Sequence, residues 1–587
     1  MPSLVDQFTA RVGAAFAAIG LPEELGHCTE SDRPDLAPYQ CNGAMAAARI
    51  AKKAPRAVAE EIVAQLEGDD LFEKIEIAGP GFLNFTPTVA VYGLQANTIA
   101  SDDRTGAGTV DVPRKVMIDF GGPNVAKPMH VGHLRSSVIG DSLQRLLRFR
   151  GDTVVSDIHL GDWGYQMGLL VTELQAEQPD LPYFDAAFEG DYPAEPPVTI
   201  EDLSRLYPQA AAKAKEDADR AAAARKATAE LQAGRRGYRA LLRHFITVSI
   251  AALKQDFGAL GVHFDLWKGE SDVNDLIPGL VQDFKDRGVA EKSEGAWIVR
   301  TAREDDKKEL APLILVSSQG SALYGTTDLA TILDRKTSFG PDLTLYVVDL
   351  GQSDHFEQVF RAAYKAGLAE EGALEHVKFG TVNGPDGKRL RTRAGGTFRL
   401  ADLINEAYER AQTRLHEAGL GDDLAEDEFN KVARMVGNAA IKFADLQNFR
   451  TTNYIFELDR FVSFEGKTGP YLLYQAVRVK SIMRKAADQG LVAGPIVVGH
   501  DAEAALVRRL DGFDAALVRA YEQRAPNHVC EHVYSLAQAF SSFYASCPIL
   551  PEKDEAVRAS RLALAQTTLK QLELGLSLIG LEAPEKM

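Results

Sequence analysis

One fifteen-residue stretch constrains this chain more than any other. Asp119-Phe120-Gly121-Gly122-Pro123-Asn124-Val125-Ala126-Lys127-Pro128-Met129-His130-Val131-Gly132-His133 follows the strand-like run Val116-Met117-Ile118 and precedes a helix-like run from Leu134. A strand feeding a loop that opens a helix is where α/β folds hold phosphates, because the helix N-terminus offers free N–H donors and partial positive charge. Two imidazoles three positions apart can hydrogen-bond phosphate oxygens, while a purine ring packs on the glycine between them. With 12 His and 49 Gly in 587 residues, a chance H-x-G-H is expected about 0.02 times. The tetrapeptide alone also suits ordinary surface or capping histidines. The flanking strand and helix, and the turn-forming Pro123-Asn124, favour a ligand-binding turn.

The chain is long enough for several domains. Its longest apolar runs, such as Leu313-Ile314-Leu315-Val316, are far too short to span a bilayer. The N-terminus lacks the basic start and apolar block of a signal peptide. Cys28, Cys41, Cys530 and Cys547 are isolated, without a C-x-x-C pair. These features predict a cytoplasmic protein with reduced, structural thiols, no membrane partner and no metal centre. The net charge of −18 argues weakly against a nucleic-acid partner, but residues 460–587 carry a balance of +1 and the remainder −19. A near-neutral, locally basic tail can contact phosphates on an acidic protein; a solvated charged face is the plainer account of any single cation.

Residues 1–112 read as a small α/β module. Helical periodicity runs through Phe8, Val12, Ala15 and Ala18, and again through Val58, Ile62 and Leu66. Strand-like 75–78 and 82–85 flank the turn Gly79-Pro80-Gly81, and the glycine-rich 101–108 reads as a linker. From 113 the pattern becomes β-α-β: strand 115–120, helix 131–149 closed by Gly151, strand 153–158. That alternation predicts a Rossmann-like parallel sheet with right-handed crossovers. Residues 172–258 read as a helical insertion, and sheet elements resume at 313–317, 345–350 and 377–382. After 400 strand patterns nearly vanish. A helical connecting region, 401–459, with a helix at 427–446, leads to an all-helical domain, 460–587, with helices at 470–486, 503–522, 529–546 and 554–579.

Pro123 to His133 resembles the first signature of class I aminoacyl-tRNA synthetases, and its Asn-x-Ala-Lys-Pro-x-His-x-Gly-His form resembles the arginyl-tRNA synthetase family. Further blocks agree along nearly the whole length. They are His159-Leu160-Gly161-Asp162-Trp163-Gly164, Gly269-Glu270-Ser271, Tyr324-Gly325-Thr326-Thr327-Asp328, Gly387-Lys388 through Thr392-Arg393-Ala394-Gly395-Gly396, Ser463 through Tyr471, and Gly580 through Met587. Each is weak alone; their order and spacing make the match specific. Two departures stand out. The second class I signature survives only as Lys388-Arg389-Leu390-Arg391-Thr392-Arg393, without its second lysine, and Gly122 stands where many members have serine.

The resemblance implies attack of the arginine carboxylate on the α-phosphorus of ATP, then arginyl transfer to the 2′-hydroxyl of the terminal adenosine of tRNA(Arg). His130, Gly132 and His133 would serve the α-phosphate and purine. Lys127, Lys388, Arg391 and Arg393 would hold the β- and γ-phosphates, with Lys127 replacing the missing lysine. Magnesium would accompany ATP without a dedicated protein cage. Charge builds on phosphoryl oxygens, so such chemistry needs donors and cations more than a strong base. For arginine, a planar guanidinium is best met by carboxylates. The resemblance assigns it Asp328, with Tyr324 beside it and Glu270 as a second acid, and completes the pocket with Gln352. Asn124 would hold the α-amino group, with Gly122 and His133 also against the amino acid. The spacing alone would equally make Asp328 a helix-surface carboxylate, and 388–393 an exposed basic turn.

The C-terminal domain would read the anticodon through Tyr471, Tyr474, Arg478 and Met587, with Lys480, Arg484 and Lys485 on the same helix. The same residues equally suit core tyrosines with solvated cations. The N-terminal module would contact the tRNA elbow, adenylate formation would need bound tRNA, and the family is expected to be monomeric. Two other classes share the first signature: a small-molecule nucleotidyltransferase, which is usually shorter, and a non-catalytic tRNA-binding paralogue, which is expected to lose His130, His133 or Asp328.

Overall fold

The computed structural model describes residues 1–34, 36–318, 320–390 and 398–587. The N-terminal helix Leu4–Ala18 starts at Ser3, whose hydroxyl accepts from the Asp6 N–H while Asp6 reaches back in a capping box. It buries Leu4, Phe8, Val12 and Phe16 against a four-stranded antiparallel sheet in the order Cys28–Glu30, Tyr39–Cys41, Phe82–Pro87, Phe72–Ala78. The strands Phe72–Ala78 and Phe82–Pro87 pair across the Gly79-Pro80-Gly81 turn, where both glycines have positive φ. A helix that the sequence patterns did not signal, Val89–Ser101, follows. The expected linker at 101–108 is a packed turn. Thr105 is fully buried at φ 52, its carbonyl accepts from Gln571 at 3.0 Å, and the Gly108 N–H donates to Asp514 at 2.7 Å.

The central sheet is parallel, in the order Leu374–His376, Leu343–Tyr346, Lys115–Asp119, Thr153–Asp157. Its inner strands are buried almost without interruption, as a sheet covered by helices on both faces requires. The chain leaves Lys115–Asp119 to add Thr153–Asp157 on one side and later returns to add Leu343–Tyr346 on the other, so the C-terminal end of Lys115–Asp119 is a topological switch point, where open α/β sheets bind ligands. From it the chain enters the signature turn and the helix Leu134–Arg150, closed by Gly151 at φ 108. Gly140 lets that helix lie on the Phe120 ring; any β-carbon there would collide with it.

Four helices, Tyr165–Glu177, Ile200–Glu216, Ala218–Gln232 and Arg236–Ala259, make up the insertion, which starts earlier than the apolar pattern suggested. Three strand expectations need correction. Leu313–Val316 belongs to a separate antiparallel sheet with Glu291–Ser293 and Ala296–Val299. Its Ile314 is 42 % exposed, the one-sided burial of an antiparallel edge. The run 345–350 leaves the sheet after Tyr346. The run 377–382 mostly connects Leu374–His376 to a two-residue strand, Val382–Asn383, paired with Tyr454–Ile455.

Beyond residue 400 the chain is helical. The expected helix 503–522 is two helices, Asp501–Asp511 and Phe513–Gln523, broken at Gly512. The Asp511 carboxylate there accepts from the Leu4 N–H at 2.8 Å and from Gln95 at 2.6 Å, joining the first and last domains. The helix Glu426–Leu446 grips the signature helix. Arg135 pairs with Asp445 at 3.0 Å and donates to the Thr452 carbonyl at 2.8 Å. Lys442 pairs with Asp141 at 3.5 Å and donates to the carbonyls of Leu260 and Gly580, both at 2.9 Å. All four charged side chains are buried. No described helix is long and apolar enough to cross a membrane.

Candidate active site

The signature turn is built from unusual backbone. Gly121, Gly122 and Ala126 have φ of 89, 50 and 65. At Gly122 there is room for a side chain, but the left-handed backbone itself favours glycine. The turn is fastened on three sides. The Val125 N–H donates to the Gly161 carbonyl at 3.0 Å, the Ala126 N–H to the Ser249 hydroxyl of the insertion at 2.9 Å, and the Val131 N–H to the Phe398 carbonyl at 3.0 Å.

His130 caps a short 3-10 turn, Val131–His133, that leads into the signature helix. Its Nδ1 accepts from the Gly132 N–H at 3.0 Å, and its own N–H donates to His133 Nδ1 at 3.1 Å. The two rings lie 4.0 Å apart. Because each Nδ1 is an acceptor, each neutral ring carries its proton on Nε2, so the turn offers two N–H donors. Burial, and then the charges of the other histidine and Lys127, lower the His133 pKa to about 3; burial and Lys127 lower that of His130. Both stay neutral near pH 7. Gly132 is exposed, leaving bare backbone beside them.

Lys127 is placed differently from the expectation that it holds phosphates. Its ammonium lies 4.4 Å over the Tyr207 ring. It lines a cavity of about 420 Å³ with Ser204, Arg205, Asp256 and Arg399, between the turn and the insertion helices. Lys388 is exposed in a tight turn, where its carbonyl accepts from the Gly384 N–H at 2.7 Å. Arg391 and Arg393 lie outside the described residues. The chain after them returns to the signature turn, where the Leu400 N–H donates to the Met129 carbonyl at 3.0 Å.

Beside the turn, at the C-terminal ends of the parallel strands, is a cavity of about 260 Å³ lined by Gly122, Asn124, Glu270, Tyr324, Asp328 and Gln352. All the residues expected to read arginine, His133 apart, thus meet in one place. Tyr324 and Asp328 lie one turn apart on the helix Tyr324–Ser338. Tyr324 is 57 % exposed at the mouth; the charge of Asp328, then burial, then Glu270 push its pKa up. Burial raises Glu270 to about 7, against a backbone N–H donated by Trp163. Asn124 Oδ1 accepts from Gln166 at 3.3 Å.

Several participants were not assigned roles from the sequence. His355 Nε2 lies 2.6 Å from Asp328 Oδ2, and its ring packs on Tyr324 at 5.0 Å. Its position three residues after Gln352 was the available signal. Under the cavity, Arg335 bridges Asp119 at 2.6 Å and Asp157 at 2.8 Å. Asp162 accepts from the Ser271 N–H at 2.8 Å and hydroxyl at 2.5 Å, and burial raises it to about 6. No group of three or more His, Cys, Asp or Glu side chains able to hold a metal occurs among the described residues.

In the C-terminal domain Tyr474, Arg478 and Met587 line one concavity of about 320 Å³ with Arg484 and Lys586. Tyr471 is turned aside against Tyr534, with ring centroids 5.8 Å apart. Lys480 is not a free cation, as expected for phosphate contact. It is buried, bonding Glu573 at 2.8 Å, Glu585 at 2.7 Å and the Ala583 carbonyl at 3.1 Å, and so pins the C-terminal tail.

Three family models match in succession: the arginyl tRNA synthetase N terminal domain at 6–86, the class I (R) tRNA synthetase catalytic domain at 96–458, and the DALR anticodon binding domain at 472–587. The arginine–tRNA ligase of Maricaulis maris is 70% identical, and that of Hyphomonas neptunium 59% identical, each over 100% of both chains. Among solved structures, the arginyl-tRNA synthetases of Plasmodium falciparum and Thermus thermophilus share the fold with TM-scores of 0.80 and 0.78. Each is 23% identical and covers 100% of both chains.

Proposed function

The chain belongs to the arginyl-tRNA synthetase family, and from that membership we infer how its own residues join arginine to tRNA. It is an arginine–tRNA ligase: ATP and arginine form arginyl-adenylate and pyrophosphate, and the arginyl group then passes to tRNA. Arginine enters the 260 Å³ cavity with its guanidinium against Asp328 and Glu270. His355 orients the Asp328 carboxylate, and Tyr324 closes the mouth with a hydroxyl that stays protonated. Asn124 and the backbone at Gly122 hold the α-amino end, while Gln352 flanks the side chain. The arginine carboxylate thereby faces the signature turn. The Nε2–H groups of His130 and His133 donate to the phosphoryl oxygens as negative charge gathers on them. Loss of one such donor costs about 3–4 kcal/mol of transition-state stabilisation.

Lys127, Lys388, Arg391 and Arg393 supply positive charge to the outgoing pyrophosphate, and magnesium travels with the triphosphate. For Lys127 this requires its ammonium to leave the Tyr207 ring. Class I chemistry places the arginyl group on the 2′-hydroxyl of the terminal adenosine. The concavity of Tyr474, Arg478 and Met587 takes unstacked anticodon bases, with Tyr471 supporting the helix beneath. The chain acts as a cytoplasmic monomer; its four free, buried cysteines suit a reducing compartment.

The observation that carries this reading is the convergence of Asp328, Glu270 and Tyr324 on one cavity beside two neutral histidine donors. ATP–pyrophosphate exchange with each amino acid, with and without tRNA, tests it. Arginine-dependent exchange that requires tRNA is expected; no exchange under any condition would refute it.

A further inference from the structure

Asn124 and Gly161 face each other as a short parallel bridge, and both line the arginine cavity. The Gly161 N–H donates to the Pro123 carbonyl at 3.2 Å, and the Gly161 carbonyl accepts from the Val125 N–H at 3.0 Å. That carbonyl also accepts from the side-chain amide of Gln166 at 2.9 Å, and the same amide nitrogen donates to Asn124 Oδ1 at 3.3 Å. Gln166 lies in the first turn of the helix Tyr165–Glu177. Asn124 Oδ1 sits so close over the Gly161 α-carbon that any β-carbon there would collide with it. Asn124 and Gln166 are both partly exposed, so neither amide is sealed from the cavity.

An amide side chain can turn over and exchange its oxygen for its nitrogen at little steric cost, so its partners set its orientation. Here the partners form a chain with one fixed end. A backbone carbonyl only accepts, so the Gly161 oxygen fixes the Gln166 nitrogen beside it. The other N–H of that nitrogen points at Asn124, and only Oδ1 can receive it. Turned over, Asn124 would set its own N–H groups against those of Gln166, donor facing donor. We propose that Gln166 is a positioning residue for the amino-acid end of the substrate: it holds Asn124 with its oxygen, not its nitrogen, ready for the α-ammonium. This rests on the reading of Asn124 as the holder of the α-amino group. Oδ1 has two lone pairs; Gln166 occupies one, and the substrate ammonium takes the other. Neither amide titrates, so the orientation does not depend on pH.

The test is inhibition of ATP–pyrophosphate exchange, with tRNA present, on the full chain carrying Gln166→Met, which keeps the length of glutamine and removes both donors. Two arginine analogues serve as probes. Agmatine keeps the amine and lacks the carboxylate; desamino-arginine keeps the carboxylate and lacks the amine. With Q166M the arginine KM and the agmatine inhibition constant should rise roughly 3- to 30-fold, while that of desamino-arginine stays within about twofold. A merely structural role would weaken both analogues together. A Q166M protein that inhibits with agmatine as the unmodified protein does, or that loses agmatine and desamino-arginine equally, overturns the proposal. Should Q166M melt abnormally, Gln166→Leu carries the same comparison. Asn124→Ala keeps the two readings apart: if it leaves the balance between agmatine and desamino-arginine unchanged, the assignment of the α-amino group to Asn124 fails instead.

Discussion

Single carboxylates around the cavity differ in what already neutralises them. Asp119 and Asp157 share Arg335, and Asp328 is held by His355, whereas Glu270 accepts a backbone N–H from Trp163 and burial raises its pKa to about 7. Asp328→Ala should therefore raise the arginine KM by the equivalent of about 2–5 kcal/mol while the KM for ATP stays nearly constant; steady-state kinetics in both substrates checks this, and equal losses would misplace the pocket. Glu270 must be ionised to meet a guanidinium, so the arginine KM should fall as pH rises from 6 to 8. His133, held at about 3, stays neutral throughout that range and adds no acid limb of its own. The linked stability has the opposite sense. A carboxyl whose folded pKa lies above its ordinary 4.5 binds more protons folded than unfolded between those values, so stability falls as pH rises from 4.5 to 7. Glu270→Gln should raise the melting temperature of the free protein at pH 8, by up to about 3 kcal/mol in stability, while weakening arginine binding; melting curves at pH 5 and pH 8 separate the two effects.

Among elements, the signature helix is the part most tightly specified by its neighbours. Its Arg135 and Asp141 are buried against Asp445 and Lys442 of Glu426–Leu446, a helix that also holds the Gly580 carbonyl near the chain's end. Breaking such a pair strands a buried charge and costs about 3–5 kcal/mol. Asp445→Ala should lower unfolding stability by that amount in denaturant titrations, because Arg135 would keep the Thr452 carbonyl and the Tyr454 ring face but lose its counter-charge. These pairings were invisible in sequence, where Arg135 and Asp445 stand 310 residues apart. By contrast, the hairpin at Gly79-Pro80-Gly81 and the helix closed by Gly151 were legible, since each is set by neighbouring residues alone. The strand expectation at 377–382 and the single helix at 503–522 failed for the same reason in reverse: pairing partners and a glycine break outweighed a local apolar pattern.

Across the whole molecule the first and last domains close on one another. Residues 101–108 pack on the C-terminal helices, and Asp511 reaches both Leu4 and Gln95. Lys480 and Lys442 fix the tail, so Met587 reaches the concavity with Tyr474 and Arg478. Arg478→Ala should therefore raise the KM for tRNA, by a factor that shrinks at higher salt, with arginine and ATP constants unchanged in the same aminoacylation assay. Tyr471→Phe should leave tRNA binding nearly as it was.

Sequence by itself determined the strand, glycine turn and helix start of the signature, the family and the order of domains, and through the family's motif blocks it named Tyr324, Asp328, Glu270 and Gln352, which line one cavity. Those follow from short-range patterns: a strand, a glycine turn and a helix start, and ordered motif blocks. Only the tertiary structure decided that Lys127 lies over Tyr207, that Lys480 is a buried tie, and that His355 holds Asp328. Burial and pairing depend on which distant segments meet, and that meeting is what turns ordinary charged and aromatic residues into a site.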